Sequence, residues 1–371
     1  MNILLKDCRL IPELSDGYGE LYGDVVLSEG KIEGVYGVGQ EHTVDQSIDC
    51  QGKTLLPGLF DCRARFGEEA EMTDFAFLTH NCLSTRKYLD HGITTIQDMG
   101  SPRRVSTAVR HAVKEGLFRG PRIVSGGMKI TVQPEFLAEG AARVITGREE
   151  MIRAVREEIG GGANLILLEL AGEGPGMLEE ELEAALRIAR LKKMRVAAHV
   201  CSSEALYLCM EALVDVFILD APLESAAIQW VKERGCCLAP TLTRLHQGGP
   251  ECREMPERME VYARGISNAY RAGVKLGFGT DLTADELDTS LALELKLRNE
   301  VCGVRNIDLL LQATKYSAWF CGLQNITGEI KKGLAADLIL VDGKPDQDLT
   351  VLYRRPEIVF VQGREYRPSC V

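Results

Sequence analysis

The sequence predicts a (β/α)8 TIM barrel beside a small β-sandwich that both ends of the chain build together. Two patterns indicate this fold class. In the middle of the chain, short apolar or β-branched runs alternate with longer helical patterns, and both ends carry strand-turn-strand patterns instead. Strands that alternate with helices indicate parallel βαβ units. A chain of 371 residues is long enough for one large domain and a smaller one.

Eight candidate strands lie between Leu55 and about Asp281. In chain order they are LLPGLFDCRARF, GITTIQDMG, PRIVSGGMKI, ANLILLEL, MRVAAHV, DVFILD, CCLAPTL and VKLGFGTD. Helical segments such as REEMIRAVREEIGGG separate them, with apolar residues recurring at spacings of three and four. Eight such units predict a closed barrel over residues 55–324, with its active site at the carboxyl ends of the strands.

The two ends of the chain have β character. Residues 1–54 contain LYGDVVLSEGKIEGVYGVG, with glycines at the turns, and the tail contains LAADLILVDGKPDQDL and EIVFVQGREY. Alternating apolar runs bounded by glycine turns are typical of hairpins. We therefore expect residues 1–54 and 325–371 to form one composite β-sandwich.

Composition and charge exclude several classes of protein. The apolar fraction of 45% and charged fraction of 26% are ordinary for a globular protein. A net charge of -11 argues against a nucleic-acid partner. No apolar run approaches the roughly 18 residues that span a bilayer, so we expect no membrane partner. The start MNILLKDCRL carries Lys6 and Asp7 and makes a poor signal peptide, so we expect a cytoplasmic protein whose twelve cysteines are reduced.

Six segments then resemble, in order, the landmarks of the amidohydrolase superfamily. They are PGLFD, LDHGITTIQDMG, GPRIVSGGMKIT, MRVAAHV, GFGTD and GEIKKGLAADLILVDG. The resemblance is in particular to the imidazolonepropionase-like and prolidase-like branch, and it covers nearly the whole chain. It implies a TIM barrel and, by ancestry, hydrolysis of amide or cyclic amide C–N bonds in small molecules.

The resemblance also implies a set of metal ligands, of which most are replaced in this chain. Active members hold one or two divalent metals. Their strand-one His-x-His matches Arg63 and Arg65, their carbamylated strand-four lysine matches Leu167, and their strand-six histidine matches Asp220. Two positions are retained. His199 matches the strand-five histidine, and Asp281 matches the strand-eight aspartate that acts as base on the metal-bound water.

Arginine opposes metal binding at these positions. It is a permanent cation without an acceptor atom, so neither Arg63 nor Arg65 can be a ligand. Two unit charges about 4 Å apart at an effective dielectric of about 20 interact by about 4 kcal/mol, so a divalent ion facing one arginine loses about 8 kcal/mol. Zinc sites with good ligands gain about 10–16 kcal/mol. We expect no metal cofactor; a single zinc or manganese on His199, Asp220 and Asp281 is the weaker alternative.

Charge substitution offers a role for the two arginines. Strand alternation allows Arg63, Arg65 and Glu169 to share the barrel mouth with Asp220 and Asp281. A buried carboxylate needs a partner, and a guanidinium can supply bidentate hydrogen bonds. We predict that Arg63 or Arg65 pairs with one of these three carboxylates where the metal sits in relatives. The arginines form either a structural ion-pair plug or a site for a substrate carboxylate or phosphate.

Three further residues are candidates for substrate contact. Cys201 lies two residues after His199 and on the same face, where cations could activate its thiol, although a small buried cysteine is also common. His246, in TLTRLHQGGPE, falls in a loop where this fold often recognises substrate, or is simply solvated. Lys129 ends the third candidate strand, and we expect it to be solvated at the barrel rim.

Three functions remain open at this point. The first is a hydrolase without metal, or with one metal, that uses His199 and Asp281 as catalytic residues. The second is a non-catalytic homologue that binds a small anion through Arg63, Arg65 and neighbouring residues. The third is a structural or regulatory subunit, whose pocket its own side chains would fill. The expected partner is a small molecule, anionic in the second case, and homo-oligomerisation is left open.

Overall fold

The computed structural model describes residues 1–66, 72–133, 140–170, 176–247 and 255–369. Its strands are β1 (Asn2–Arg9), β2 (Tyr22–Ser28), β3 (Lys31–Tyr36), β4 (Gln46–Asp49), β5 (Thr54–Pro57), β6 (Leu59–Ala64), β7 (Ile93–Asp98), β8 (Arg122–Val124), β9 (Lys129–Thr131), β10 (Ala142–Val144), β11 (Leu165–Leu170), β12 (Arg195–Val200), β13 (Val216–Leu219), β14 (Cys237–Pro240), β15 (Leu338–Val341), β16 (Ile358–Val361) and β17 (Arg364–Tyr366).

Helices lie between most strands of the central part of the chain. They are α1 (Asp74–Asp90), α2 (Val105–Lys114), α3 (Gly147–Gly160), α4 (Glu179–Leu191), α5 (Ser203–Glu211), α6 (Ser225–Arg234), α7 (Thr243–Gln247), α8 (Met255–Arg271), α9 (Leu287–Glu300), α10 (Asn306–Leu311) and α11 (Ser317–Phe320). In the described part of the chain, no helix is long and apolar enough to cross a membrane.

The two ends of the chain join in one eight-stranded sheet. Its order is β17-β16-β15-β5-β1-β2-β3, with β4 beside β1. The antiparallel pair of β15 and β5, with Ile339 opposite Leu56, joins the C-terminal strands to the N-terminal ones. Buried side chains such as Leu5, Val25 and Phe360 form a separate core. Both ends therefore build one β unit, as expected, while its division into the two layers of a sandwich stays a prediction.

The central strands form two parallel sheets, of order β6-β7-β8 and β10-β9-β11-β12-β13-β14. Parallel strands that alternate with helices fit a TIM-barrel-like fold. Phe60, Leu167, Ala197, Ile218 and Ala239 come from five different strands and pack in a single buried cluster. These strands therefore share an inward face, and the side chains at the carboxyl ends of the strands can converge above that cluster.

Backbone hydrogen bonds connect the two central sheets. Asn164 N donates to Ser125 O at 2.8 Å, between β8 and the start of β11. On the other side, Gly277 N donates to Leu238 O at 2.7 Å, and Cys62 N donates to Phe278 O at 2.8 Å. The segment around residue 277 therefore lies between β14 and β6.

Three of the predicted strands have different bounds in the structure. PRIVSGGMKI is divided into β8 and β9, which belong to different central sheets. LLPGLFDCRARF is divided into β5 of the terminal sheet and β6 of the central sheet. The division falls at Gly58, where a Cβ atom would lie 2.0 Å from Thr94 Oγ1, so only glycine allows this close approach to β7. VKLGFGTD has one isolated bridge at Leu276 within the described residues. A Cβ atom at Gly279 would lie 2.8 Å from Arg63 Cβ, so this segment packs tightly against β6.

Candidate functional site

Arg63, near the end of β6, is completely buried, and its guanidinium binds carboxylates from two other segments. Nη1 and Nη2 donate to Asp220 Oδ1 and Oδ2 at 2.9 and 2.8 Å, which is a bidentate pair. Nη2 also donates to Asp281 Oδ2 at 3.1 Å. Nη1 donates to the carbonyl oxygens of Leu219 and Ala239 as well, each at 3.3 Å. Arg63 therefore fills the space between the ends of β13, β14 and the segment that carries Asp281.

Arg65 binds the other side of Asp281. Its Nε donates to Oδ1 at 2.6 Å and its Nη2 to Oδ2 at 3.3 Å. Arg244 on α7 adds a third cation, with Nε 3.8 Å from Oδ2. Burial opposes ionisation of Asp281, but Arg65 and Arg63 lower the pKa of its carboxyl below the usual value. Asp281 is therefore an ionised carboxylate held between guanidiniums.

Asp61 fixes the backbone that carries these groups. It is buried on β6 and accepts hydrogen bonds from Arg63 N at 2.9 Å, Thr280 N at 3.1 Å and Thr280 Oγ1 at 2.6 Å. Burial raises the pKa of Asp61 to about 6 against these hydrogen bonds. Asp61 thus ties β6 to residue 280, and Asp281 follows with a left-handed φ of 62°.

Glu169 and His199 form the second half of the cluster. The register of β11 and β12 places them directly opposite each other. His199 Nδ1 lies 2.5 Å from Glu169 Oε1, and Nε2 lies 2.7 Å from Asp220 Oδ2. Lys129 Nζ lies 3.0 Å from Glu169 Oε2. The cluster is therefore continuous from Lys129 through Glu169, His199 and Asp220 to Arg63.

The charges of this half stabilise one another. Burial opposes the ionised form of Glu169, but His199 and Lys129 lower its pKa to about 2. Burial also opposes the protonated form of His199, but Glu169 and the hydrogen bond with Asp220 raise the pKa well above the usual value. His199 is therefore an imidazolium that donates from both ring nitrogens. The pKa of Asp220 lies well below its usual range, because Arg63 and His199 outweigh the effect of burial.

Comparison with known proteins identifies the family. The sequence profile described as the Amidohydrolase family matches residues 54–365, most of the chain. The chain belongs to the amidohydrolase family. The ochratoxinase of Aspergillus niger is 24% identical over 358 residues, which cover 82% of this chain and 73% of that protein. An uncharacterized protein of Mycobacterium tuberculosis is 25% identical over 337 residues, which cover 85% of this chain and 86% of that protein.

A solved structure shows the same similarity. The crystal structure of a prolidase complexed with N-methylphosphonate-L-proline superposes with a TM-score of 0.85 at 25% sequence identity, covering 100% of both chains. Together these comparisons support descent from a family of C–N hydrolases with a TIM-barrel-like fold.

In this member of the amidohydrolase family, one group of described side chains brings metal-ligand atoms together. The ligand atoms of His199, Cys201 and Asp220 all lie within 4.8 Å of one another. Two of these three already have other partners. His199 is bonded at both ring nitrogens, and both oxygens of Asp220 accept from Arg63. Only the Cys201 thiol, 3.8 Å from His199 Nε2, lacks a short bond to a charged group of the cluster.

Most sequence-predicted site residues meet in this cluster. It contains Arg63, Arg65, Glu169, His199, Cys201, Asp220 and Asp281. The predicted pairing is confirmed for Arg63 with Asp220 and Asp281 and for Arg65 with Asp281. Glu169 pairs with Lys129 and His199 instead. The expectation that Lys129 is solvated was wrong, since it is 6% exposed and ion-paired.

His246 lies two residues after Arg244 in the chain. It is an exposed residue of α7, and no hydrogen bond or ion pair joins it to the cluster in the described residues. The rest of its predicted loop, from residue 248, lies outside the described residues. So do residues 67–71, 134–139 and 171–175, which follow β6, β9 and β11.

Sequence reasoning missed Asp61, Thr280 and Arg244. Strand alternation could have identified Asp61, because it lies two residues before Arg63 on the same face of a strand. No such pattern could have identified Thr280 and Arg244, because their positions depend on how the segment before Asp281 and helix α7 approach β6.

Proposed function

We propose that this amidohydrolase-family protein is not a metal-dependent hydrolase, because an arginine has replaced the metal centre. One observation supports this most strongly. The completely buried guanidinium of Arg63 bonds both Asp220 and Asp281. The resemblance matches these two residues to the strand-six ligand and the strand-eight base of active relatives. Arg63 thus supplies the positive charge that a cation supplies in those relatives.

The residues present do not fit a divalent cation. An imidazolium has no lone pair to offer, so His199 cannot be a ligand while Glu169 and Asp220 keep it protonated. Asp220 would have to break its bidentate pair with Arg63. The arginine would then face the cation in a buried site, and at about 4 Å that contact costs about 8 kcal/mol at an effective dielectric of about 20. A divalent cation at Asp220 would therefore lack His199 as a ligand and would be repelled by Arg63.

Hydrolysis without a metal is also disfavoured by these contacts. A general base needs a free acceptor near the operating pH. His199 is protonated, and the two oxygens of Asp281 accept from Arg63 and Arg65. The internal contacts of the cluster instead support a non-catalytic homologue.

The proposal includes the finer architecture. We infer that the two central sheets close into a (β/α)8 barrel of residues 55–324, beside a β-sandwich of residues 1–54 and 325–371. The hydrogen bonds from Asn164 to Ser125 and from Cys62 to Phe278 support closure. We further propose a cytoplasmic location, which the ten free cysteines among the described residues support.

The first test is metal content. Purified protein should hold less than about a tenth of an equivalent of zinc or manganese, before and after incubation with either metal and desalting. The matched variant is R63H/R65H, which restores two imidazoles and removes both cations. We expect it to retain close to one equivalent of zinc. Near-stoichiometric metal in the unmodified protein, lost in Asp281→Asn, would overturn the proposal.

The second test is turnover. The compounds to assay are Xaa-Pro dipeptides and ochratoxin, which the names of the relatives suggest. The unmodified protein should release no product above the buffer rate with or without added zinc. Hydrolysis that Asp281→Asn abolishes would restore the hydrolase function.

A second candidate function is the binding of a small anion at the edge of the cluster. The side chains of Arg65 and Arg244 are 20% and 34% exposed, and both approach Asp281. Calorimetric titration with inorganic phosphate and with L-proline tests this function. Binding that R244Q weakens, and that the exposed control R264Q leaves unchanged, would support it. If neither probe gives saturable heat, the cluster is an internal ion-pair plug and this second function is excluded.

A further inference from the structure

A large cavity lies at the opposite end of the central strands from the arginine cluster. Its volume is about 950 Å³. It is lined near the start of β8 by Arg122, just before β11 by Asn164 and at the start of β12 by Arg195. Glu169 and His199 lie near the other ends of β11 and β12. The cavity is therefore separate from the candidate site.

The lining of this cavity is strongly cationic. Seven arginine and lysine residues contribute to it, against Glu365 as the one acidic residue among the described lining. This contrasts with the net charge of -11 for the whole chain. Cations gathered in one concave surface repel each other, so their concentration here favours an anion.

Most of these cations lack a carboxylate partner among the described residues. Arg110 donates to the Gly162 carbonyl at 2.7 Å and to the Asn164 side chain, both neutral acceptors. Arg195 and Arg119 donate to the backbone carbonyls of Phe320 and Glu365. Burial lowers the pKa of Arg110, as expected for a cation without a paired anion.

Four exposed cations stand at the rim of the cavity, namely Lys114, Arg119, Lys193 and Arg364. Lys193 and Arg364 make no side-chain hydrogen bond or ion pair with any described residue. Arg122 is the exception in the lining, because its Nη2 lies 2.9 Å from Asp337 Oδ2. The rim can thus offer donors to phosphate oxygens without first breaking an internal ion pair.

The floor of the cavity is apolar. Leu89 and Ile123 from the central part, Leu323 after α11, and Val361 and Tyr366 from the terminal sheet line it. Ligand pockets typically combine such a floor with a few polar groups in about 300–1,000 Å³. The cavity spans the central strands and the β16–β17 turn, so an occupant would contact both parts of the protein.

We propose that this cavity binds a small organic polyanion of the nucleoside polyphosphate class. Its phosphates lie on the cationic rim formed by Lys193, Arg364 and Arg119, and its apolar or aromatic part lies on the floor. The proposal does not depend on the absence of a metal from the arginine cluster. Because the ligand contacts both the central and the terminal sheets, its binding stabilises their junction.

Calorimetry with ATP, tripolyphosphate and adenosine tests the proposal. We expect one ATP per chain, tripolyphosphate bound roughly ten-fold more weakly because it buries no apolar surface, and no binding of adenosine alone. ATP binding should weaken as salt increases. Equal affinity for ATP and tripolyphosphate would refute the role of the apolar floor. No saturable binding of either polyanion would refute the whole proposal.

A matched pair of double variants separates this cavity from net charge. The test variant is K193Q/R364Q, which removes two rim cations. The control is R187Q/K192Q, which removes the same charge at two exposed residues outside the cavity lining. We expect the test variant to weaken ATP binding by at least about ten-fold and the control by less than about two-fold.

Equal weakening in both variants would show non-specific attraction and refute the site. All four residues are exposed, so both variants should fold, which an unchanged thermal unfolding midpoint would confirm. Light scattering tests a competing explanation for this surface. If the unmodified chain forms a dimer that the test variant abolishes and ATP does not affect, the surface is a contact between copies and the proposal is overturned.

Discussion

Replacing Arg63 by methionine tests the charge-substitution reasoning most directly. The change keeps an unbranched side chain of similar length in a completely buried position and removes the guanidinium. Breaking a buried ion pair from one side typically costs about 3–5 kcal/mol. Here each carboxylate keeps another cation, since Arg65 still contacts Asp281 and His199 still contacts Asp220. We therefore expect the lower end, a loss of about 3 kcal/mol in the free energy of unfolding.

The loss should depend on pH in a defined direction. In the unmodified protein, the pKa values of Asp220 and Asp281 lie below their unfolded values. Their stabilisation is therefore present above about pH 4 and is lost as the pH falls through the folded pKa values. R63M raises both folded pKa values, so its carboxylates become protonated earlier on acidification. The difference between the two proteins should be largest near pH 8 and shrink toward about pH 4.

Urea unfolding followed by circular dichroism at several pH values measures these differences. The control is R264M, which disrupts an exposed pair with Glu260 on α8 and should leave the midpoint unchanged. The double variant R63M/D220N should be less destabilised than the sum of the single variants by more than about 1 kcal/mol. Two results would refute the reasoning: a loss of less than about 1 kcal/mol in the free energy of unfolding of R63M, or a loss that does not change with pH. Either would show that Arg63 does not compensate the buried charges of Asp220 and Asp281.

Two further predictions follow from pKa shifts that the structure explains. Glu169 has a folded pKa of about 2 because His199 and Lys129 outweigh burial, so its stabilisation is present above its unfolded pKa and lost as the pH falls toward 2. E169Q should therefore lose about 3 kcal/mol at neutral pH and nothing near pH 2, and an equal loss at both would contradict this. Burial raises the pKa of Asp61 to about 6, so this residue makes the folded state less stable as the pH rises from about 4 to 6. D61N, which retains an acceptor for Thr280, should remove that decline from the pH profile of the thermal unfolding midpoint; an unchanged profile would mean that Asp61 is ionised throughout.

The sequence was sufficient to predict the contacts that depend on strand alternation. Arg63 lies on β6 and Arg65 is the residue just after its end, so the spacing of two predicts the same side for both, and both contact Asp281. Alternation gives the face of a residue but not its register against the next strand. The register of β11 and β12 sets Glu169 opposite His199, which places Glu169 away from the arginines.

Two other features depend on contacts that no local pattern encodes. Lys129 begins the short strand β9, and its burial follows from the position of Glu169 on the neighbouring strand. The segment around Gly279 was predicted to be a regular strand because its residues are apolar. It makes few ladder contacts among the described residues, because Gly279 packs against the backbone and Cβ of Arg63. Close approach of this kind is a tertiary property that glycine permits and does not by itself predict.

The replacements at the ligand positions are coupled through charge. In the relatives that the chain resembles, one divalent ion balances a carbamylated lysine and the strand-eight aspartate. In this chain, two guanidiniums balance Asp220 and Asp281, while Leu167 carries no charge in the place of that lysine. The two arginines offset the charge of these two carboxylates, although every individual replacement alters the charge. A single arginine introduced into a metal site would repel the ion without balancing both carboxylates, whereas two arginines with Asp220 leave no unpaired buried charge. For the same reason, R63H/R65H removes both close guanidiniums from Asp281 and leaves Asp220 with His199 alone, and a divalent cation is the charge that would replace the two lost cations.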